Sequence, residues 1–256
     1  MDFTEPISQN LKKFVKSLQS RKERQASNMF VVEGEKLCEE LLGSNLNIEF
    51  LVLRGSAGDQ AHEIAVKFNE RNITVYAARS KQFDQICNTK SPQDILAVVR
   101  SKEQEADYTI PFIALDGVND PGNLGTIIRT ADWFGFRHII LGGKTVDKYN
   151  AKTVRASMGS LFRIQVSVTD NLPDFLRENH KGFDLFAATL SAGKAMETIR
   201  PTGKFGIIFG SEAHGISGEV LNLVSDEFLI EGRGDAESLN VAVSLGIAAY
   251  YFSQFL

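Results

Sequence analysis

The stretch Glu231–Tyr251, EGRGDAESLNVAVSLGIAAYY, decides how this chain is read. It opens as a polar loop punctuated by Gly232 and Gly234, then turns at Ser238 into a run of small and apolar residues from Val241 to Ala249. The pattern predicts a loop feeding the N-terminus of a closely packed helix, with Ser238 as its cap and the amides behind it at the positive end of the dipole. A helix whose faces are nearly all Ala, Gly, Val and Leu needs other backbone close by, so it belongs in a core or a subunit interface. Glu237, Ser238 and Asn240 are then held at the edge of that core, where binding sites are commonly built.

The 256 residues suffice for one large or two ordinary domains, and 43% hydrophobic with 23% charged residues is the balance of a globular protein with a sizeable core. No run reaches bilayer-spanning length, and the start MDFTEPISQNLKK lacks the apolar stretch of a signal peptide, so a soluble, cytoplasmic protein is expected. Cys38 and Cys87 are the only cysteines; they are too few for a disulfide scaffold and lack metal-ligand spacing, which predicts reduced thiols and no metal. A net charge of -4 excludes an overall basic coat but leaves room for a local basic face.

Such a face is predicted near the start. Ile7, Leu11, Phe14, Val15 and Leu18 fall at helical spacing over 7–20, and Lys12, Lys13, Lys16, Arg21, Lys22 and Arg24 face only Glu23 between Asn10 and Phe30. Two readings stand: a solvated helix face, or an arm that contacts phosphates. Strands at 29–32, 48–53, 73–76 and 95–100 then alternate with helices at 35–42, 59–70 and 81–87, which makes a small α/β domain over 1–103. The charged stretch Ser101 to Asp107 has no apolar periodicity and reads as a linker.

A second α/β domain follows over 108–256. The strand Phe112 to Leu115 leads into the glycine-containing loop Asp116 to Gly125 and a helix carrying Ile127, Ile128, Arg129, Ala131 and Trp133. The glycines at 117, 122 and 125 lack dinucleotide-fingerprint spacing, and Gly142-Gly143-Lys144-Thr145 lacks the leading glycine of a P-loop, which argues against nucleotide hydrolysis. Further strands are expected at 138–141, 162–168, 184–188, 205–209 and 227–230, with helices near 151–157, 172–179 and 217–224. The loops after two of these strands, Thr189 to Gly193 and Gly210 to Ser217, are rich in small polar residues and lie where open α/β sheets bind ligands. Glycine backbone and apolar walls suit a heterocyclic cofactor better than a polyphosphate, and Gly210 would let backbone approach that ligand. Trp133, Phe134 and Phe136 read as core residues and His214 as a surface one.

Asn123 to Ala131, Phe209 to Ser217 and Glu237 to Val243, in this order, closely resemble the three motifs of the SpoU/TrmH family of RNA ribose 2'-O-methyltransferases. Arg21-Lys22-Glu23-Arg24 and Phe30 to Glu35 resemble that family's L30-like substrate-binding domain. The resemblance implies an α/β fold with a C-terminal α/β knot, in which the last helix is threaded through an earlier loop. It also implies S-adenosylmethionine as cofactor, a homodimer with sites near the subunit interface, and RNA as substrate. By position it implies cofactor contacts at Gly210, Ile230 and Leu239, with Thr189 and Leu190 added, and a catalytic set of Asn123, Arg129, Glu212, Ser238 and Asn240.

Methyl transfer to a ribose hydroxyl requires an aligned donor and acceptor and a destination for the proton. The three motifs contain no His or Lys except His214, and a guanidinium is a poor proton acceptor. Arg129 is therefore read as a clamp on the phosphate beside the target ribose, with its use as a base, or a simple ion pair with Glu212, as the competing readings. Asn123 could be only a loop-closing residue and Ser238 only a cap. A transfer RNA methyltransferase, a non-catalytic RNA-binding assembly factor, and a methyltransferase acting on protein or a small molecule remain as alternatives to action on ribosomal RNA.

Overall fold

The structure is a computed structural model that describes residues 4–101 and 107–256. Lys102 to Ala106, most of the expected linker, lie outside the described residues. The chain divides into two compact units: the first holds the chain before that stretch together with Tyr149–Phe162, and the second runs to Lys148 and resumes over Arg163–Leu256.

The first unit comprises β1 (Thr4–Pro6), α1 (Gln9–Ser17), α2 (Arg21–Ser27), β2 (Met29–Glu33), α3 (Glu35–Leu42), β3 (Ile48–Arg54), α4 (Asp59–Asn69), β4 (Val75–Ala78), α5 (Ser80–Ile86) and β5 (Ile95–Arg100). Its sheet has the order β1-β4-β3-β5-β2. β5 runs antiparallel to both neighbours, while β1, β4 and β3 are mutually parallel. Alternate residues Val31, Phe50, Val52, Leu96 and Val98 pack with Val15 and Leu18 of the first helical stretch and with Phe83 and Ile86 of α5, so one face of the sheet is built by the period of two.

The helix expected over 7–20 forms as α1, and a second, separate helix follows it. α1 is capped by Ser8, whose Oγ accepts from Leu11 N at 3.2 Å, and ends at Leu18. The basic run then forms α2, and Arg24 Nη1 donates to the carbonyls of Leu18 and Gln19 at 2.8 and 2.9 Å. Arg24 is only 7% exposed, so its charge serves the joint between the helices, contrary to its expected place on a phosphate-contacting arm. Lys13, Lys16, Arg21 and Lys22 are exposed and Lys12 is half-buried.

The second half of the chain adds β6 (Phe112–Asp116), α6 (Pro121–Trp133), β7 (His138–Gly142), α7 (Ala151–Ala156), β8 (Gln165–Val168), α8 (Leu172–Asn179), β9 (Asp184–Ala188), β10 (Phe205–Gly210), α9 (Gly218–Leu221), β11 (Asp226–Phe228) and α10 (Val241–Phe252). Six strands form an all-parallel sheet in the order β11-β9-β10-β6-β7-β8. Parallel strands covered on both faces read as continuous apolar runs, and β6, β7 and β10 are buried along nearly all their length. α10 packs on α6 and β10. The other face carries Leu172 and Leu176 of α8 and Val220 of α9 against Ala114, Ile140 and Ile208.

Three local expectations are corrected. The strand expected over 162–168 is only Gln165–Val168, because Ser160–Phe162 forms a 3-10 turn. The helix expected over 217–224 is the single turn Gly218–Leu221. Trp133 is 82% exposed, on the outer side of α6, whereas Phe136 is fully buried as expected. Among the described residues no helix is long and apolar enough to cross a membrane.

Candidate active site

The sheet order places a topological switch between β6 and β10: β7 and β8 follow β6 on one side, and β9 and β11 flank β10 on the other. The loops leaving the carboxyl ends of β6 and β10 therefore diverge and leave a crevice, the usual ligand position in an open α/β sheet. Asp116, last in β6, joins the two loops by accepting from Ser217 N through Oδ2 at 2.8 Å.

Asn123 sits inside a helix instead of the loop expected for it. α6 begins at Pro121, and Asp120 caps it by accepting from Asn123 N at 2.9 Å. An Asp followed by Pro is a strong helix-start signal, since the carboxylate satisfies an orphan amide and proline lacks the N–H that would otherwise be left over. The cap fixes Asn123 in the first turn and frees its side chain to reach outward. Its Nδ2 donates to Glu212 Oε1, and its Oδ1 accepts from Asn240 Nδ2 at 3.1 Å. One residue thus joins the loop after β10 to the start of α10, and an 89-residue and a 117-residue separation are both closed at Asn123.

The cap of α10 is Asn240, contrary to the expectation for Ser238. Asn240 Oδ1 accepts from Ala242 N at 2.9 Å and Val243 N at 3.4 Å. A carboxamide can accept at the helix amides while its Nδ2 donates elsewhere, which a hydroxyl with one proton does less well. Among the described residues, Ser238 makes no hydrogen bond through its hydroxyl, and it lies in the fully exposed stretch 231–240. Arg129 lies about two turns into α6, exposed, and among the described residues no carboxylate pairs with it. The ion pair with Glu212 is therefore not formed; Glu212 is engaged by Asn123.

Gly210 carries a different constraint from the one expected. A Cβ there would lie 2.0 Å from the Gly215 carbonyl carbon and 2.3 Å from Ile216 N. What comes close is the chain's own return, with Ser211 and Gly215 exchanging backbone hydrogen bonds at 3.1 and 2.9 Å and Gly215 at φ 65. The glycine pair makes the tight loop that presents Glu212. On the neighbouring strands, Thr189 Oγ1 donates to Glu227 Oε2 at 2.6 Å and Thr189 N donates to the Phe228 carbonyl at 3.1 Å, so Thr189 and Leu190 lie beside the segment leading to Ile230. Leu190 and Leu239 are 70% and 48% exposed, apolar side chains left facing solvent. His214 is exposed, as expected.

Asp116, Asp120 and Glu227, the carboxylates that hold the loops in place, were not among the sequence candidates; only Asp120 had a legible signal, the proline after it. Both cysteines are buried thiols, with burial pushing Cys87 up to about 12 and Cys38 higher still, so neither is a nucleophile at neutral pH.

Comparison with known proteins assigns both parts of the chain to described families. Residues 111–250 match the SpoU rRNA Methylase family, and residues 10–97 match the MRM3-like substrate binding domain. The chain is 34% identical over 237 residues to the 23S rRNA (guanosine(2553)-2'-O)-methyltransferase RlmP of Bacillus subtilis, covering 92% of this chain and 93% of that one. Among solved structures, the AdoMet-bound rRNA methyltransferase from Sinorhizobium meliloti is 30% identical with a TM-score of 0.86, covering 99% of this chain and 97% of that one. The SpoU methyltransferase AviRb from Streptomyces viridochromogenes shares the fold at 21% identity, with a TM-score of 0.84 and 96% of each chain covered. The motifs that meet at Asn123 lie within a match spanning more than half of the chain, and this chain belongs to the SpoU rRNA Methylase family.

Proposed function

We propose that the chain transfers a methyl group from S-adenosylmethionine to a ribose 2'-hydroxyl of structured RNA, with ribosomal RNA as the substrate class and the cytoplasm as its place of work. The observation that carries this reading is the hydrogen-bonded line from Glu212 through Asn123 to Asn240, which ties three segments distant in sequence into one polar edge at the switch point of the sheet.

The residues present fit the cofactor. Exposed Leu190 and Leu239 offer apolar surface to a heterocycle, and the stretch 231–240 is exposed and free of helix or strand, so its backbone is available to polar groups. Gly210, Thr189, Leu190, Ile230 and Leu239 would hold it. S-adenosylmethionine supplies a methyl group on a sulfonium, already a good leaving group. The protein's own work is alignment and charge. Arg129, exposed and unpaired among the described residues, would clamp the phosphate beside the target ribose and steady the developing alkoxide, while water or a phosphate oxygen takes the proton. Glu212, Asn123 and Asn240 would fix the loops, and Ser238, released from capping, is available to the substrate.

RNA affinity is assigned chiefly to the first unit, where Lys12, Lys13, Lys16, Arg21 and Lys22 stand on or next to α1 and α2. A homodimer through the second unit is supported by its apolar outer face. Val243, Ile247 and Tyr250 recur along α10 at helical spacing and stay exposed, as does Trp133 on the adjoining α6, a patch that a monomer has no reason to keep. Threading of α10 through an earlier loop, the knot implied by the resemblance, belongs to the same reading.

The test is incubation of the purified protein with methyl-labelled S-adenosylmethionine and a 23S rRNA transcript, followed by alkaline hydrolysis. Label in an alkali-resistant dinucleotide is the expected result. RNA binding without cofactor binding would make the protein an RNA-binding factor instead.

A further inference from the structure

The segment from Lys144 to Arg163 carries five basic residues, Lys144, Lys148, Lys152, Arg155 and Arg163, against one acid, Asp147. Two of these have partners within the second unit: Lys148 Nζ donates to the Val166 carbonyl at 2.5 Å, and Arg163 pairs with Asp132 at 3.0 Å. Arg155 is different. It lies on α7, in the stretch that packs with the first unit, and among the described residues its side chain has no hydrogen-bond or ion-pair partner. Its Nη1 is also shut away from solvent without an acceptor.

The stretch around it is firmly held. Tyr149 stacks on Phe30 of β2 with ring centroids 4.3 Å apart, Asn150 caps α7 by accepting from Lys152 N at 2.9 Å, and Gly159 closes on α3, where a Cβ would meet Glu40 Cγ at 2.9 Å. Packing this specific would tolerate a neutral side chain at 155. Arg155 as a whole is half-buried, and a permanently charged guanidinium with one nitrogen left without an acceptor is costly, so the group calls for an acceptor from outside the chain.

We infer that Arg155 is a phosphate-binding position for the RNA substrate, separate from the arm of α1 and α2; this rests on the reading of the protein as an RNA methyltransferase. The planar fork of arginine matches two phosphate oxygens, and Lys152, exposed one turn earlier on the same face of α7, adds positive field beside it. The nucleic acid is favoured over a carboxylate from a second copy of the chain because the surrounding sequence carries five basic residues against one acid, the pattern that tracks a polyanion.

The experiment measures binding of a protein-free 23S rRNA transcript by fluorescence anisotropy between 50 and 200 mM salt, on the full chain and its Arg155→Gln and Arg155→Lys variants, with melting temperature read on each protein before RNA is added. Arg155→Gln should weaken binding and reduce the slope of log affinity against log salt by about 0.7 to 0.9, one phosphate contact. Its melting temperature should be unchanged or higher, since no internal partner is lost. Arg155→Lys should keep the wild-type slope with several-fold weaker binding, because the charge stays and the fork is gone. An unchanged slope in Arg155→Gln overturns the assignment. So does a glutamine variant that melts well below the wild type, which would reveal an internal partner, or one that shifts the oligomeric state at constant slope, which would give the residue to a second copy. A wild-type chain that binds no RNA removes the proposed function and this site together, whereas loss of the site alone shows as wild-type binding that Arg155→Gln leaves intact.

Discussion

The two ends of the parallel sheet in the second unit are built from the same strands and finished in opposite ways. At the carboxyl ends of β6 and β10 the chain leaves polar, exposed loops, with Asn123, Glu212 and Asn240 joined by hydrogen bonds and Arg129 unpaired among the described residues. At the amino ends the rings of Tyr108, Phe112, Phe175 and Phe183 surround His180, with His138 beside them at the start of β7. His138 and His180 are fully or nearly fully buried; His138 Nε2 meets Ser167 Oγ at 2.9 Å, but among the described residues its Nδ1 and both nitrogens of His180 have no partner. One end keeps its polar groups wet, partly unsatisfied and ready for a ligand. The other buries polar rings as though they were apolar, which it can do only while they are neutral.

The largest expected effect lies at the open end. Arg129→Ala should cut single-turnover methyl transfer by about 10²- to 10³-fold, the range seen when one charge-stabilising donor is lost, while calorimetric affinity for S-adenosylmethionine stays the same. Arg129→Lys should recover part of the rate. If Arg129 is a clamp, the two variants give parallel profiles from pH 7 to 10; a steep rise confined to the lysine variant would make this position a base.

An intermediate effect is expected at the closed end. Burial pushes His138 and His180 down to about 4 from an ordinary 6.5; the two rings also repel each other's charge at His180, and Asp107 only partly offsets the shift at His138. Because the folded form holds these rings neutral and the unfolded chain takes up protons from about pH 6.5, stability should be full above that pH and fall as pH drops toward 4. Thermal melts from pH 7 to 4 should show the fall, and His180→Phe, which keeps a ring in the aromatic box, should flatten it. Identical pH profiles for the two proteins would mean that His180 is not held neutral.

The smallest effect separates two neighbours in the loop before α10. Asn240→Ala should cost about 1 kcal/mol, the usual loss of a helix cap, whereas Ser238→Ala should change stability by less than about 0.5 kcal/mol, as exposed substitutions do. Urea unfolding of both proteins decides which residue is the cap.

Much of this contrast was legible in the sequence, and the failures share a cause. Apolar runs such as those of β6 and β10 announce a covered parallel sheet, and the three motif blocks carry the site by residue type and order. Periodicity does not say which side of a helix the rest of the chain covers. Trp133 follows the helical pattern of α6 yet faces out, and Arg24 sits in a basic run yet turns inward to the carbonyls that end α1. The cap of α10 was misread because Ser and Asn are both good caps, and only the distant Asn123 shows why the carboxamide is used. The packing of Tyr149–Phe162 with the first unit depends on tertiary contacts such as Tyr149 on Phe30, which no local pattern encodes.

The central claim is that the three motifs act as one site through Asn123, and a double-mutant cycle on methyl transfer tests it most directly. Rates are measured for wild type, Asn123→Ala, Glu212→Ala and the double variant, under single-turnover conditions with saturating cofactor and RNA. If the hydrogen bond between Asn123 and Glu212 makes them a unit, the double variant loses little more than the worse single one. If the two losses multiply, the residues act independently and the account of a single joined site is wrong.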